Sequence, residues 1–517
     1  MRLIHRLGLL ALLSMLGVGS GWAQEGRPVR LATEASDRLM LLQSDASERL
    51  LEEGRHHLLT FRLYEAERVF RHLAQRPDGV AAGGYYLATT SFLKALVTDE
   101  AVYFDEFSGR SDSLRRHLDA LPDSRWRVYL LAETDLQRAI AAAKRERFIR
   151  AALASRKAYQ RFSHLLEEDA GFYEAYKGMG LAHLFIGTMA NAHRRLLKIL
   201  GFSGGVRQGM RELQQAAAYS RLNREEAAIY RALADVTLNN SAAGGVETLE
   251  RLLGNHPESA LLAYLYGFAL LSNRRAAEAE PYLHAAVQAG VSADYFYIDY
   301  AAFYLAQTLL RQNRFAEAER YYRQYVQRHR GGAAKAVAFY ELGLALEMQG
   351  RREEALSYYR QVEGGRASDA YGAAQKRLSA AMTAHERQLV LGRNAYDAGH
   401  YDQAEALLRA VWNDAEAPAA ARAEAAYRLG RVHQAQGRLD EALHTYQHVV
   451  DHPLDDPTAP WTPWSQFHVG EIFLQRGDPS EAVRAFEAAL AYDSAYPDRQ
   501  TLEQRAKTAL GRIKQRR

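Results

Sequence analysis

The chain has 517 residues, with 66 Lys plus Arg against 62 Asp plus Glu, 48% hydrophobic residues, 12 Pro and no Cys. Such a composition belongs to an ordinary globular protein and excludes disorder as the main state. A formal charge of +4 gives no reason to expect nucleic acid, whose binding domains gather Lys and Arg on one face. Without Cys, disulfides, thiolate catalysis and Cys-ligated zinc are excluded.

The first 23 residues read as an export signal. Arg2 and Arg6 make a basic start, Leu7 to Val18 is apolar, and Gly21, Trp22 and Ala23 supply the small-x-small pattern of a cleavage site. The apolar run is shorter than the roughly 20 residues of a membrane span, so cleavage after Ala23 is expected, leaving no transmembrane helix. Export points to the periplasm or to association with the outer membrane.

From residue 24 onward one spacing recurs: a Gly, a turn residue seven on, an Ala five further and an aromatic or Leu four after that. Its copies, in chain order, begin with Gly54, Ala66 and Phe70, and the first half of a unit follows at Gly180 and Gly187. Next come Gly267, Arg274, Ala279 and Leu283, then Ala306, Asn313, Ala318 and Tyr322, then Gly343, Gly350, Ala355 and Tyr359. The last three read Gly392, Gly399, Ala404, Leu408; Gly430, Gly437, Ala442, Tyr446; and Gly470, Gly477, Ala482, Phe486. Small residues at these places fit helices that cross closely, and a Gly or Asn in the middle fits a left-handed turn.

With these motifs the chain resembles the tetratricopeptide repeat family. That resemblance implies an all-α superhelix of stacked antiparallel helix pairs, in which the aromatic inserts between neighbouring units. Stability then comes from stacking, since no unit buries its apolar face alone. The expected divisions are a signal at 1–23, a divergent helical region at 24–255, one array at 256–383 with an extra terminal helix in 364–382, and a second array at 384–517. A Pro-rich loop is expected from His452 to Pro463. Residues 178–213 have a different texture and are similar to a segment of the eukaryotic inclusion-body clearance family of tetratricopeptide proteins; only a helical fold is carried over.

Three groups of residues have chemical potential. Gly201, Gly204, Gly205 and Gly209 form a Gly-rich turn before a helix, but no Lys-Ser or Lys-Thr follows and no strand precedes. A structural loop with Ser203 as the helix cap is the better reading. His444, His448 and His452 are spaced for one helix face, yet Pro453 ends the helix before the third imidazole aligns. They read as a solvated polar face, so neither a metal nor any other cofactor is expected, and a hydrolase is the remote alternative.

The third group is a groove implied by the resemblance, in which the residue three before the first Gly of a unit faces the concave surface. Tyr264, Phe303, Tyr340, Leu389, Tyr427 and Phe467 occupy that offset, and neighbouring offsets add Phe268, Tyr300, Leu344, Arg393, Tyr396, Arg431 and Trp464. Rings at an interface bury much area at little rotamer cost, and Arg393 and Arg431 are placed to pair with acidic or backbone groups. The same rings are also ordinary core residues, which leaves groove and core both open. Lys177 alone supplies a cation at the main offset, which disfavours the C-terminal carboxylate grip of chaperone-binding relatives. The expected protein is a non-enzymatic scaffold for a protein or peptide segment, with a cell-envelope or outer-membrane assembly factor as the alternative.

Overall fold

A computed structural model describes residues 38–188, 202–238, 243–292, 294–331, 334–363, 369–456 and 458–516. The export signal and residues 189–201 of the divergent stretch lie outside them. Among the described residues the chain forms 24 α-helices and no strand, as the repeat spacing predicts.

The helices pair in chain order. α1 (Asp45–Leu59) packs on α2 (Leu63–Ala74), α3 (Val80–Thr98) on α4 (Ala101–Asp119), α5 (Arg125–Lys144) on α6 (Phe148–Glu168), and α7 (Ala175–Thr188) on α8 (Val206–Tyr219). Next come α9 (Arg224–Leu238) with α10 (Ala243–Asn255), α11 (Ala260–Ser272) with α12 (Ala276–Ala289), α13 (Asp299–Arg311) with α14 (Phe315–Arg328), and α15 (Lys335–Met348) with α16 (Arg352–Tyr359). The extra helix is α17 (Asp369–Ser379). The second array holds α18 (Ala384–Ala398) with α19 (Tyr401–Asn413), α20 (Ala419–Ala435) with α21 (Leu439–Asp451), α22 (Trp461–Gln475) with α23 (Pro479–Leu490), and a closing α24 (Arg499–Arg516).

The pairs that carry the repeat frame are built on its small residue. A Cβ placed on Gly470 would lie 2.7 Å from the Phe486 ring, and one on Gly343 would lie 2.6 Å from Tyr359. The aromatic therefore covers the Gly of its own unit, and it also reaches the next one, as expected: Tyr446 stacks on His468 at 5.3 Å, and Tyr322 donates to Glu341. The helices approach so closely at the Gly that a large ring from the second helix fills the gap over its bare backbone. Ala66, Ala279, Ala318, Ala355, Ala404, Ala442 and Ala482 are all fully buried at the same crossings. Two of these ring hydroxyls are satisfied: Tyr359 donates to Glu347 Oε2 (2.8 Å) and Tyr446 to Gln434 Oε1 (3.0 Å).

The middle position is left-handed at Arg274, Asn313, Gly350, Gly399, Gly437 and Gly477, whereas Gly187 lies inside α7 and makes no such turn. Phe61 (φ 65°) and Glu146 (φ 57°) occupy the same slot in the divergent half, between α1 and α2 and between α5 and α6. Phe61 tolerates this conformation because its ring is buried and its carbonyl accepts from Phe296 N at 3.1 Å. Gly205, not Ser203, is the N-cap of α8; the Ser203 hydroxyl instead meets Tyr159 Oη at 3.2 Å. α22 begins at Trp461 and so takes in the last three residues of the expected loop, because Pro463 sits in the first turn, where no N–H is required. α13 starts at Asp299, just after Phe296, whose N–H donates to Phe61 O.

Two contacts depart from simple stacking. The α1–α2 turn packs against the α10–α11 turn and the segment before α13, so one apolar cluster joins Phe61 and Leu63 to Ile229 through Ala398 and runs unbroken past residues 255 and 383. In addition α18 docks on α12 and α13. There Asn394 Nδ2 donates to Leu310 O (2.9 Å) and Asn313 Oδ1 (3.0 Å).

Candidate functional site

First helices of successive pairs, α18, α20 and α22, pack on one another more extensively than second helices do. In a curved stack this puts the first helices on the inside. The expected ring ladder is not exposed there: Tyr264 is 3% exposed, Phe303 2% and Phe467 2%. Leu389, Phe268 and Leu344 are buried too. The reason is helical geometry, because a residue three before the Gly shares its face and points at the same second helix. Phe467 lies 5.4 Å from Phe486 ring to ring, and Phe303 lies 5.2 Å from Tyr325. These rings are core, and they leave the groove list.

Tyr340, Tyr300, Trp464, Arg393 and Arg431 are half-buried and reach the surface in part. Tyr427 is buried, but its hydroxyl meets the Arg431 guanidinium at 3.3 Å. The residues that come together are the polar ones. Arg393, Tyr396, Asp397, Arg428 and Arg431 line one cleft between α18 and α20.

Arg393 and Arg431 each follow the first Gly of their unit, so both project from the inner row one repeat apart. Arg431 donates to Tyr396 Oη (3.0 Å) and Tyr427 Oη (3.3 Å), and its charge lies 5.2 Å from the Tyr396 ring. Arg274, brought in by the docking of α18, stacks on the same ring at 4.6 Å. Arg428 is paired with Glu424. Arg431 is hydrogen-bonded to these two phenols, and one carboxylate, Asp397, lies among the residues that line the same cleft. Glu341, within electrostatic reach of Arg393, is already bonded to Gln307 and Tyr322.

Beside the cleft, His468 is kept neutral. Burial pushes its pKa down to about 4, outweighing Glu471 Oε2 at 2.8 Å, and Arg431 and Arg505 act in the same direction as burial. Lys177, the one cation at the expected chaperone-type offset, is buried and consumed by Glu133 (2.8 Å) and Glu226 (3.1 Å). His452 caps α21 with Nδ1 2.9 Å from His448 O, outside the helical run. Sequence reasoning missed Arg274 and Arg428, because the docking that brings Arg274 to the cleft joins units that are not adjacent in the chain.

Residues 303–372 and 421–495 each match a family model described as tetratricopeptide repeat. Similar solved structures include YrrB, a TPR protein with an unusual peptide-binding site, at 16% identity over 51% of this chain and 99% of that one, with a TM-score of 0.20. Yeast Tom70 is 12% identical over 86% of this chain and 99% of that one, with a TM-score of 0.32. The human IFIT1 dimer with m7Gppp-AAAA is 13% identical over 87% and 95%, with a TM-score of 0.30. No curated protein matches the chain. Two stretches of this helix-pair solenoid, 303–372 and 421–495, are thus tetratricopeptide repeats.

Proposed function

We propose that the chain is a non-enzymatic, exported scaffold whose inner helix row holds an acidic, extended segment of a protein partner. Tetratricopeptide repeats are protein-interaction scaffolds, which supports the general reading. One observation supports the finer one: three guanidinium groups, Arg393, Arg428 and Arg431, line one cleft against a single lining carboxylate, Asp397. A partly desolvated guanidinium gains more from an incoming carboxylate than a solvated one does, and its planar fork holds it bidentately. Tyr396 and Tyr427 fix the Arg431 fork in advance, which lowers the ordering cost of binding.

The test is capture from envelope extract on immobilised wild type and Arg393→Glu, compared at low and high salt. The expected result is a partner held by wild type at low salt, weakened by salt and lost with the charge reversal, while melting is unchanged. An identical set of captured proteins on both baits contradicts the reading. Export has a separate test: protein from the native host is expected to begin at Gln24.

A further inference from the structure

Away from the cleft, His56 in the last turn of α1 faces His256 and Glu258 in the α10–α11 turn. One ligand atom from each lies within 4.8 Å of the other two. His56 Nε2 and Glu258 Oε1 are 3.6 Å apart, near the roughly 3.4 Å edge of a tetrahedron with zinc-length bonds. From these donors we infer a zinc site of two imidazoles and one carboxylate that pins the first helix pair to the middle of the solenoid.

Three features separate this cluster from a chance ion pair. His256 Nε2 lies 2.7 Å from Glu225 Oε1, an acceptor that fixes the tautomer and leaves Nδ1 with its lone pair, the carboxylate–histidine arrangement typical of metal ligands. Both donor segments are held by bonds that use none of the donor side chains: Ser259 Oγ donates to Leu59 O (2.6 Å), and Tyr295 Oη donates to Glu258 O (3.1 Å). The next residue, His57, carries a buried Nδ1 with no partner, and Glu53 and Glu225 add negative charge around the imidazoles. The His56 and Glu258 side chains, 49% and 36% exposed, give an ion an entry path and leave its fourth position to water.

A second donor group, Glu405 with His433 and Glu441, also holds a buried His433 Nε2 without a hydrogen-bond partner, but its Glu405 carboxylate is already taken. Arg438 and Arg409 already hold Glu405 and press its pKa down to about 2, so a cation there competes with two guanidinium groups.

The test is zinc titration of tag-free full-length chain by calorimetry, with melting followed in parallel. Wild type is expected to take one equivalent and to melt higher with zinc. Affinity should fall at least tenfold in His56→Gln and in Glu258→Gln, which should keep the zinc-free melting temperature and helical signal. Glu225→Gln should weaken zinc by about 10- to 100-fold through the orientation of His256. His448→Gln should bind as wild type does. Zinc uptake unchanged in both His56→Gln and Glu258→Gln, or no uptake by wild type at micromolar zinc, overturns the assignment.

Discussion

Asp99, at the left-handed end of α3, places Oδ2 3.2 Å from Nε2 of the fully buried His329, just beyond α14. The contact is an ion pair by distance rather than a well-aligned hydrogen bond. The other nitrogen, Nδ1, meets Asp299 Oδ2 at 3.2 Å, while Lys144 reaches Asp99 (2.5 Å) and Arg328 reaches Asp299 (3.6 Å). One imidazole therefore ties the divergent half to the first array. Tyr300 and Tyr325 pack on its ring at 4.9 and 4.8 Å.

Burial opposes charge on His329, but Asp299 and Asp99 together outweigh it and raise its pKa above 6.5. A raised value means that the stabilisation is complete below about pH 6.5 and is lost as pH rises through the folded-state value. The lower bound is set by Asp99, whose pKa is depressed, so its own contribution fades only below about pH 4. Melting of wild type minus His329→Gln, measured across pH 5 to 9, should give a difference that shrinks as pH rises. A constant difference contradicts the charged latch.

His468 behaves in the opposite sense. With a folded value near 4 against an ordinary 6.5, the unfolded chain binds more protons between these limits, so stability falls as pH drops from about 6.5 toward 4. His468→Gln should flatten the acid limb of the second array, read by amide exchange in α20 and α22. Acid sensitivity equal to wild type counts against a buried neutral imidazole.

The repeat frame is tested at Gly470. A Cβ there meets the buried Phe486 ring at 2.7 Å, so Gly470→Leu should cost about 1 to 3 kcal/mol or more through overpacking. Unchanged thermal melting contradicts the close crossing.

Phe467→Ala should lower stability by about 3 to 5 kcal/mol, as removal of a buried ring does. Partner capture per folded molecule should be unchanged, whereas a loss of capture without a loss of stability returns Phe467 to the groove.

The helix pairs were legible because three slots per unit carry steric demands that few residues meet: no side chain at the crossing, an Ala opposite, a ring above. Where a slot is filled against type, the unit folds alike but the pattern weakens, to Gly54, Ala66 and Phe70 around Phe61, and is lost around Glu146. The ring offset was legible as apolar but not as core, since groove and second helix are neighbouring faces of one helix and spacing alone does not divide them. Arg393 and Arg431 were found because they follow the Gly by one and turn away from the crossing. The Asp99–His329 and Asn394–Asn313 contacts, like the His56–Glu258 pair, join segments far apart in the chain, and no local period encodes them.

The proposed use of the inner row is tested most directly by a photo-crosslinking residue at position 393 on α18, compared with one at 409 on the outer α19, each in full-length chain in the native host. The account predicts an adduct to one partner from position 393, mapping to an acidic segment of that partner, and none from 409. Adducts from 409 alone, or from both positions alike, contradict it.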